Sequence, residues 1–457
     1  MFQTVEMPVW GLVLLVAFAT VTFASHFLFP SVRWFFRRRL ERAVKKLNQR
    51  LQRPIEPFKL ARRYDMIQRL IYDPEVSRAI VAHARMQGVP ENVAFARARG
   101  YAREIVPSFS ASAYFGVAIR LAKWISQALY HVRLGHFDDD AIGAIDRNAT
   151  VVFVMNHRSN MDYVLVTWLA AERSALSYAV GEWARVWPLS RLIKAMGAYF
   201  IRRRERDALY RRVLARYVGM ATDGGVTQAV FPEGGLSLTG APHEPKHGLI
   251  KYIVEERERD ARDVVFVPVA LNYDRVFEDR LLIAADQGGG RKFPARISVI
   301  ARFILWQAWL KLRGRYHRHG YAAVSFGAPM SLRAYQADHP AANARGLTRA
   351  LMARIKAEMP VLPVPLVARA LLRADGPLSR DALRLAVGRM LDGMSRAELY
   401  LPQGDPEHAV RCGVEILRDR GLIEERSGTL SPVESERPVL TYYAASIAHL
   451  FHGRSGA

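Results

Sequence analysis

A histidine and an aspartate five residues apart are the first pair in this chain whose types and spacing suit acid–base chemistry. His157 and Asp162 lie in "NHRSNMDY", residues 156–163, directly after an apolar run. Residues five apart do not share a face of one ideal helix, so these side chains can meet only on a turn that leads into a helix. Ser159 to Asp162 reads S-x-x-D, a helix-start signature. The pattern predicts a carboxylate in the first helical turn that holds one imidazole nitrogen and leaves the other as a base.

The same pair has a purely structural interpretation. Asp162 then only caps the helix, and His157 is a hydrogen-bonded residue of the turn. In the catalytic interpretation the pair is the His-Asp half of a triad without its serine, and the nucleophile is a hydroxyl group of the substrate. The pair by itself leaves both interpretations open.

A second candidate is the segment "HEPKH" at residues 243–247, which matches the H-E-x-x-H pattern of zinc proteases. That chemistry requires both histidines on one face of a helix. Pro242 and Pro245 bracket Glu244, and a proline inside a helix costs about 3 kcal/mol. We therefore predict a loop at this segment and no metal site.

The elements that must position the histidine are buried strands that alternate with helices. Apolar runs of strand length and composition occur at residues 150–157, 227–234, 263–273 and 321–327, with helical patterns between them. This alternation predicts an α/β domain with a covered β-sheet, which we assign to residues 140–335. His157 then stands at the end of the first of these strands, where ligands usually bind in such domains.

Two further regions flank this domain. Residues 33–139 are predicted as a basic juxtamembrane and helical region, with a turn at residues 88–90. Residues 336–457 are predicted as a small, mostly helical C-terminal domain, with a proline-punctuated linker at residues 360–365. Residues 297–315 fit either an amphipathic helix in a membrane interface or a core helix of the α/β domain.

The N-terminal segment is predicted to anchor the chain in a membrane. Residues 9–29 carry no formal charge and are long enough to span a bilayer, so we assign residues 1–32 to a transmembrane helix. A signal peptide is the alternative, but no basic residue precedes the segment and no small-residue cleavage site is evident. Basic residues crowd positions 33–46, and the positive-inside rule places that side in the cytoplasm. We expect a single-pass protein of the inner (plasma) membrane with a cytoplasmic catalytic domain.

Composition limits the classes of partner and of fold. The formal net charge of +23 implies an acidic partner, such as anionic lipid, nucleic acid or a phosphorylated substrate. Half of the residues are hydrophobic, which excludes a disordered chain. Cys412 is the single cysteine, so an internal disulfide is excluded.

Four stretches, in this order, resemble the four blocks of the glycerolipid acyltransferase family. They are "NHRSNMDY" (156–163), "GAYFIRR" (197–203), "FPEGGLSLTG" (231–240) and "VPVALNYDRVFE" (267–278). The second and fourth are most similar to the glycerol-3-phosphate 1-O-acyltransferase branch, and the similarity extends to "LTYYAASIAHLF" (440–451). The resemblance implies an acyltransferase that moves a fatty acyl group from acyl-CoA or acyl-carrier protein to the sn-1 hydroxyl of glycerol-3-phosphate in phospholipid synthesis.

The resemblance also implies a role for each block. His157 is the general base and Asp162 orients it. Pro268 belongs to the fourth block. No metal and no organic cofactor are required, since acyl-CoA or acyl-carrier protein is a substrate. The residues implied to bind the acceptor or its phosphate are Arg158, Arg202, Arg203, Glu233, Gly234, Gly235 and Lys246.

The third block departs from the family pattern. Relatives read E-G-x-R-S-R or similar, whereas Leu236 and Leu238 occupy both arginine positions here. The acceptor therefore stays open between glycerol-3-phosphate and another alcohol, such as a lysophospholipid or dihydroxyacetone phosphate.

Two other function classes compete with catalysis. One is a scaffold that binds acyl donors without reacting them. The other is a membrane-tethered nucleic-acid-binding protein, because residues 407–434 fit a helix followed by a β-wing. We expect no nucleic-acid partner, since the basic charge is spread along the chain and Glu424 and Glu425 occupy the expected wing. Anionic membrane lipids are the partner that the juxtamembrane charges favour.

Overall fold

The structure is a computed structural model that describes residues 8–170, 175–181, 189–202, 205, 207–256, 262–288, 319–392, 394 and 404–451. The chain forms two compact units, Met1–Ile55 and Glu56–Ala457. The segment 297–315, predicted as an interfacial or a core helix, lies outside the described residues.

The first unit is formed by one long helix, α1, which runs from Val9 to Asn48. It covers most of the segment predicted as a transmembrane anchor, residues 1–32. Among the helices in the described part of the chain, none is both long enough and apolar enough to cross a membrane. The structure thus does not show the predicted spanning helix.

Within the residues that the structure describes, the second unit is built on a mixed β-sheet of eight strands. The strands are β1 (His131–Phe137), β2 (Thr150–Met155), β3 (Ser177–Gly181), β4 (Tyr199–Ile201), β5 (Gln228–Val230), β6 (Val264–Tyr273), β7 (Tyr321–Phe326) and β8 (Met330–Ser331). Their order is β1-β7-β6-β2-β5-β3-β4, with β8 also beside β6. β2 lies parallel to β5 and β6, whereas β7 and β8 run antiparallel to β6.

The four strands predicted from apolar runs are β2, β5, β6 and β7. Every residue of β2 and β6 is buried, as expected for strands covered on both faces. Val151 and Phe153 belong to one hydrophobic cluster, and Val152 and Val154 to the other, so each face of β2 has its own core. The predicted α/β class with a covered sheet is confirmed. The structure adds β1, β3, β4 and β8, and β1 lies before the predicted start of the domain at residue 140.

Helices precede, connect and follow these strands. The predicted helical region and its turn are present, since helix Pro74–Gln87 ends at Gly88, which adopts a φ of 62°. The helices up to residue 357 are Pro57–Leu60, Arg63–Ile71, Pro74–Gln87, Glu91–Ile105, Ile119–Leu129, Asp139–Gly143, Met161–Leu169, Leu189–Ala195, Ala208–Asp223, Gly248–Glu255, Asp279–Gln287, Leu332–Asp338 and Ala344–Ala357, with a π-helix at Ser112–Ala118.

The C-terminal part of the chain combines helices with a small antiparallel sheet. A helix followed by a β-hairpin, expected at residues 407–434, is present. The helices are Pro363–Arg373, Arg380–Leu391, Pro406–Asp419 and Arg437–Ala445, with 3₁₀ turns at Glu434–Glu436 and Ala448–Phe451. The strands are β9 (Leu378–Ser379), β10 (Ile423–Arg426) and β11 (Thr429–Pro432), in the order β10-β11-β9.

The proline-rich segment 360–365, predicted as a linker, is instead part of the core. Pro363 begins a helix, because its fixed φ suits the first helical position. Residues 361–368 are all buried. The backbone N–H of Val364 donates to Asp274 Oδ1 at 2.8 Å, and Asn272 Nδ2 donates to the carbonyl oxygen of Pro360 at 2.9 Å. The prediction was wrong because prolines at a helix start read like linker prolines in the sequence.

Candidate active site

The candidate site lies where β2 ends and the chain turns into helix Met161–Leu169. Asn156 ties this end of β2 to β6, since its Nδ2 donates to the carbonyl oxygen of Leu271 at 2.9 Å and its Oδ1 accepts the Leu271 N–H at 2.8 Å. Asp162 falls in the first turn of the helix, as S-x-x-D predicted. The strand end thereby fixes the backbone on which the histidine stands.

The predicted contact between His157 and Asp162 is present. His157 Nδ1 lies 2.9 Å from Asp162 Oδ2, and both side chains are buried, with 2% and 0% exposure. The same Oδ2 accepts the backbone N–H of Arg158 at 2.7 Å and that of Ser159 at 3.1 Å. An ionised carboxylate can only accept hydrogen bonds, so the ring proton belongs on Nδ1. The lone pair of Nε2 is then available to take a proton.

Tyr273 completes a chain of three side chains. This last residue of β6 donates its hydroxyl to Asp162 Oδ1 at 2.7 Å. Burial raises the pKa of Tyr273 well above its ordinary value, so the hydroxyl keeps its proton and remains a donor. Sequence analysis did not single out this tyrosine, although it lies inside the fourth block.

We expect Tyr273→Phe to lower kcat for acyl transfer about tenfold with little change in KM, because one charge-assisted hydrogen bond to Asp162 is lost. Steady-state kinetics on the purified variant measure this. The matched control is Tyr199→Phe, since Tyr199 is also buried but its hydroxyl has no hydrogen-bond partner within the described structure. Equal kinetics for the two variants would contradict the assigned contact.

The fourth block also holds the turn through Glu278. Its Oε2 accepts the Ser159 hydroxyl at 2.8 Å, and its Oε1 accepts Asn160 Nδ2 at 2.9 Å. Burial raises the pKa of Glu278, and these donors offset part of that effect. Ser159 Oγ in turn accepts the N–H of Met161 at 3.2 Å. The first and fourth blocks therefore form one polar network around the turn that carries His157 and Asp162.

Arg158 is a buried guanidinium beside this network. It is 2% exposed, its Nη1 donates to the carbonyl oxygen of Gly240, and its guanidinium carbon lies 4.9 Å from the centroid of the Tyr442 ring. Its Nε and Nη2 have no hydrogen-bond partner in the described part of the chain. Buried donors without partners are costly, so these two are available to an anionic group.

Glu233 is the second buried charge of the site. It is 5% exposed, and the backbone N–H groups of His157 and His243 lie near its carboxylate without forming a hydrogen bond of normal geometry to either oxygen. Burial raises its pKa to about 8, although the nearby N–H groups of His157 and His243 and the charge of Arg158 lower it by less. At neutral pH Glu233 is therefore mainly a neutral carboxylic acid that can donate a hydrogen bond.

Glu233 should make the stability of the fold depend on pH. Its pKa of about 8 compares with the ordinary value of 4.5, so the folded protein keeps a proton that the unfolded chain releases across this window. Stability therefore falls as pH rises from about 4.5 to about 8. In Glu233→Gln, Tm should decline less over this range than in the wild type.

Thermal unfolding followed by circular dichroism at several pH values tests this expectation. Asp274 is the internal reference, since burial raises its pKa to about 7 and gives a dependence of the same sign. Some decline should therefore persist in Glu233→Gln and shrink further when Asp274→Asn is added. A wild-type pH profile in Glu233→Gln would contradict the assignment.

The loop after Glu233 turns sharply. Gly234 has a φ of 67°, and a Cβ there would lie 2.9 Å from the Cδ of Lys246, so the lysine stem lies over the glycine. The Lys246 N–H donates to the carbonyl oxygen of Pro232 at 2.7 Å, and the side chain is exposed. Gly235 is buried in the same loop. The predicted residues of the third block and of the loop are thus brought together.

The other predicted residues lie in different surroundings. Arg202 forms a bidentate pair with Glu104, with distances of 3.0 and 2.8 Å, and donates to Glu205 at 2.9 Å. These carboxylates raise its pKa. Arg203 lies outside the described residues. Pro268 lies in β6 between the segments that pair with β8 and β7, and its carbonyl oxygen accepts the N–H of Gly327 at 2.8 Å.

The two leucines of the third block are partly buried and pack against one of the hydrophobic clusters. They are Leu236 and Leu238, so the two positions at which the family pattern implies arginines contribute to the core here.

The H-E-x-x-H segment is not helical. Residues 242–247 form a loop, and helix Gly248–Glu255 begins only after it. His243 Nε2 accepts the N–H of Leu238 at 3.3 Å, so this ring supports the third block. Within the ranges that the structure describes, no three histidine, cysteine or acidic side chains are grouped as metal ligands. The loop geometry predicted from the two prolines is confirmed.

Comparison with known proteins finds family matches for two regions of the chain. The acyltransferase family model matches residues 140–272, and the model of the glycerol-3-phosphate acyltransferase C-terminal region matches residues 306–455. Glycerol-3-phosphate acyltransferases of Pseudomonas putida and Aeromonas hydrophila are 28% and 26% identical, over 86% of this chain. The chain covers 49% and 50% of these relatives, about half of their length.

A solved structure shows a weaker likeness. The 1-acyl-sn-glycerophosphate acyltransferase of Thermotoga maritima is 16% identical, with a TM-score of 0.33. The match covers 53% of this chain and 75% of that one. This likeness is too low to bear on the fold.

Proposed function

We propose that this chain acylates the sn-1 hydroxyl of glycerol-3-phosphate, because residues 140–272 match the acyltransferase family model and residues 306–455 match the C-terminal region of glycerol-3-phosphate acyltransferases. The acyl donor is acyl-CoA or acyl-carrier protein, and the product enters phospholipid synthesis. The observation that carries this proposal is the buried His157–Asp162 contact of 2.9 Å at the end of β2, inside the region that matches the acyltransferase family.

His157 acts as the general base. Its Nε2 removes the proton of the acceptor hydroxyl while the oxygen attacks the thioester carbonyl carbon. A C–O bond forms, the C–S bond breaks, and the leaving thiolate takes the proton back from the imidazolium. Asp162 keeps the proton on Nδ1 and stabilises the positive ring, as the aspartate does in a Ser-His-Asp triad. This chemistry requires no metal and no organic cofactor.

Arg158 and Glu233 bind the acceptor. The free Nε and Nη2 of Arg158 suit the phosphate, because the guanidinium presents its donors as a planar fork. Glu233, as a neutral acid, donates to an acceptor oxygen. Lys246 supplies a further cation from the loop. Arg202 and Arg203 have the phosphate-binding role that the resemblance implies. For Arg202 this role requires the phosphate to displace Glu104 and Glu205 from its guanidinium.

The acceptor identity is tested by transfer from palmitoyl-CoA in detergent-lipid micelles. Glycerol-3-phosphate, dihydroxyacetone phosphate and lysophosphatidic acid are offered separately, with His157→Ala as the control. We expect His157-dependent product from glycerol-3-phosphate. Product from one of the other acceptors alone would overturn this acceptor and favour a third block changed by Leu236 and Leu238. Transfer by His157→Ala at the wild-type rate would overturn the mechanism.

The location at the inner (plasma) membrane, with the catalytic part on the cytoplasmic side, is part of the same proposal. The basic residues between positions 33 and 46 support it, since they suit an anionic leaflet. Nucleic-acid binding is disfavoured, because Glu425 of the hairpin pairs with Arg380 at 2.9 Å and Glu424 with Arg426 at 2.8 Å.

A further inference from the structure

One helical segment divides its side chains sharply between the core and the solvent. It comprises the π-helix Ser112–Ala118 and the helix Ile119–Leu129 that continues it. Its inner side consists of Tyr114, Ala118, Ala122, Ser126 and Leu129, each at most 8% exposed. Residues three or four apart share a helix face, so this row is the one that packs inward.

The outer side of this segment carries exposed apolar side chains, although polar side chains are usual at solvent-exposed helix positions. Val117, Leu121 and Trp124 follow one another at spacings of four and three, and they are 62%, 45% and 53% exposed. We call these three residues the outer apolar row. Single exposed apolar residues are ordinary, but three in one row with a tryptophan mark an interaction surface.

The charges beside the outer apolar row have one sign. Arg120 and Lys123 are exposed next to it. No aspartate or glutamate occurs between Glu104 and Asp138 in the sequence, a gap that contains the whole segment. A helix with an apolar aromatic row, flanking cations and no acid has the composition of helices that lie in the interface of an anionic membrane.

The position of the helix relates this surface to the chemistry. Helix Ile119–Leu129 packs against helix Met161–Leu169, whose first turn contains Asp162. The hydroxyl of Tyr114 also accepts the N–H of Leu176 at 3.0 Å, just before β3. A binding partner that contacts the outer apolar row would therefore be separated from the turn with His157 and Asp162 by one helix.

We propose that the outer apolar row docks on an anionic lipid surface, with Arg120 and Lys123 contacting lipid phosphates. This inference deepens the proposed function, on which it rests, since long-chain acyl donors and acylated products are amphiphiles that partition into lipid. Docking through this helix brings the turn with His157 close to the surface where such molecules reside.

The test uses a local probe in the full chain, so that lipid contact elsewhere does not contribute. Leu121→Cys is made in a Cys412→Ser background and labelled with an environment-sensitive fluorophore. Vesicles of brominated phosphatidylcholine, with and without phosphatidylglycerol, are then added. The control is Leu385→Cys. Leu385 is also exposed, but an acidic residue lies beside it, since Nη2 of the adjacent Arg384 is 3.7 Å from Asp381 Oδ1.

We expect quenching at position 121 with the anionic vesicles and none at position 385. Reversing the two charges in Arg120→Glu/Lys123→Glu should raise the lipid concentration for half-maximal quenching roughly tenfold or more. No quenching at position 121, equal quenching at both positions, or equal quenching by neutral vesicles would each overturn the proposal. Acyl transfer to glycerol-3-phosphate is measured separately, so failure of docking is distinguishable from failure of the proposed activity.

Discussion

Replacing His157 by alanine should lower kcat/KM for acyl transfer by about 10²- to 10⁴-fold, the usual contribution of a general base. The geometry supports a large loss, because Asp162 holds Nδ1 and leaves Nε2 as the base of the site. The assay is transfer from palmitoyl-CoA to glycerol-3-phosphate with the purified full chain.

The fold must survive this substitution for the result to bear on mechanism. The imidazole packs 4.2 Å from the centroid of Phe231 and 5.4 Å from that of Tyr163, so alanine leaves a cavity. His157→Gln retains most of the volume and should lose as much activity with a smaller fall in Tm. His339→Ala, at an exposed histidine, should behave like the wild type. Turnover of His157→Gln near the wild-type value would refute the assignment of the base.

Asp162→Asn should also have a large effect, a fall in kcat of up to about 10⁴-fold, as in a Ser-His-Asp triad whose aspartate is replaced by asparagine. Asp162 Oδ2 accepts from His157 Nδ1 and from the N–H groups of Arg158 and Ser159. An asparagine side chain has one acceptor oxygen and one NH₂ donor, whereas a carboxylate accepts hydrogen bonds at both oxygens. The amide therefore either favours the wrong tautomer of His157 or loses the hydrogen bonds that hold the turn.

Elsewhere in the structure a second carboxylate provides a matched control. Asp207 accepts the Tyr101 hydroxyl at 2.6 Å and the Leu209 N–H at 2.9 Å, and its Oδ1 lies 3.5 Å from His83 Nδ1. Asp207→Asn thus removes the same kinds of contact away from the catalytic turn. We expect it to lower Tm with kcat retained, whereas Asp162→Asn lowers kcat. Equal losses of kcat in both variants would mean that Asp162 acts only through stability.

Much of the turn that carries His157 and Asp162 was predictable because its signals are local. His157 and Asp162 are five residues apart, and S-x-x-D already states where the helix begins. The strand before them was equally clear, since both faces of β2 are buried and its sequence is continuously apolar. The strands β3 and β4, of five and three residues, escaped prediction. β5 also has three residues, but it was predicted because the apolar run at residues 227–234 extends beyond the strand.

The surroundings of that turn were not predictable, because they depend on contacts between distant segments. Tyr273 and Glu278 lie more than one hundred residues from the side chains that they bind. The sequence motif identified the fourth block, but it did not predict that Tyr273 binds Asp162 or that Glu278 binds Ser159. Arg202 is a further example: the resemblance implied phosphate binding, and only the structure showed that Glu104, far earlier in the chain, pairs with its guanidinium.

The sequence by itself indicated a reaction class and a candidate residue pair, since a histidine, a carboxylate and four ordered blocks are recognised from residues close together in the chain. Only the tertiary structure decided which charges are buried and which are paired. Packing of the C-terminal helix Arg437–Ala445 places Tyr442 beside Arg158, and it is burial that raises the pKa of Glu233 to about 8. Desolvation and hydrogen bonding depend on distance in space, which sequence spacing does not encode.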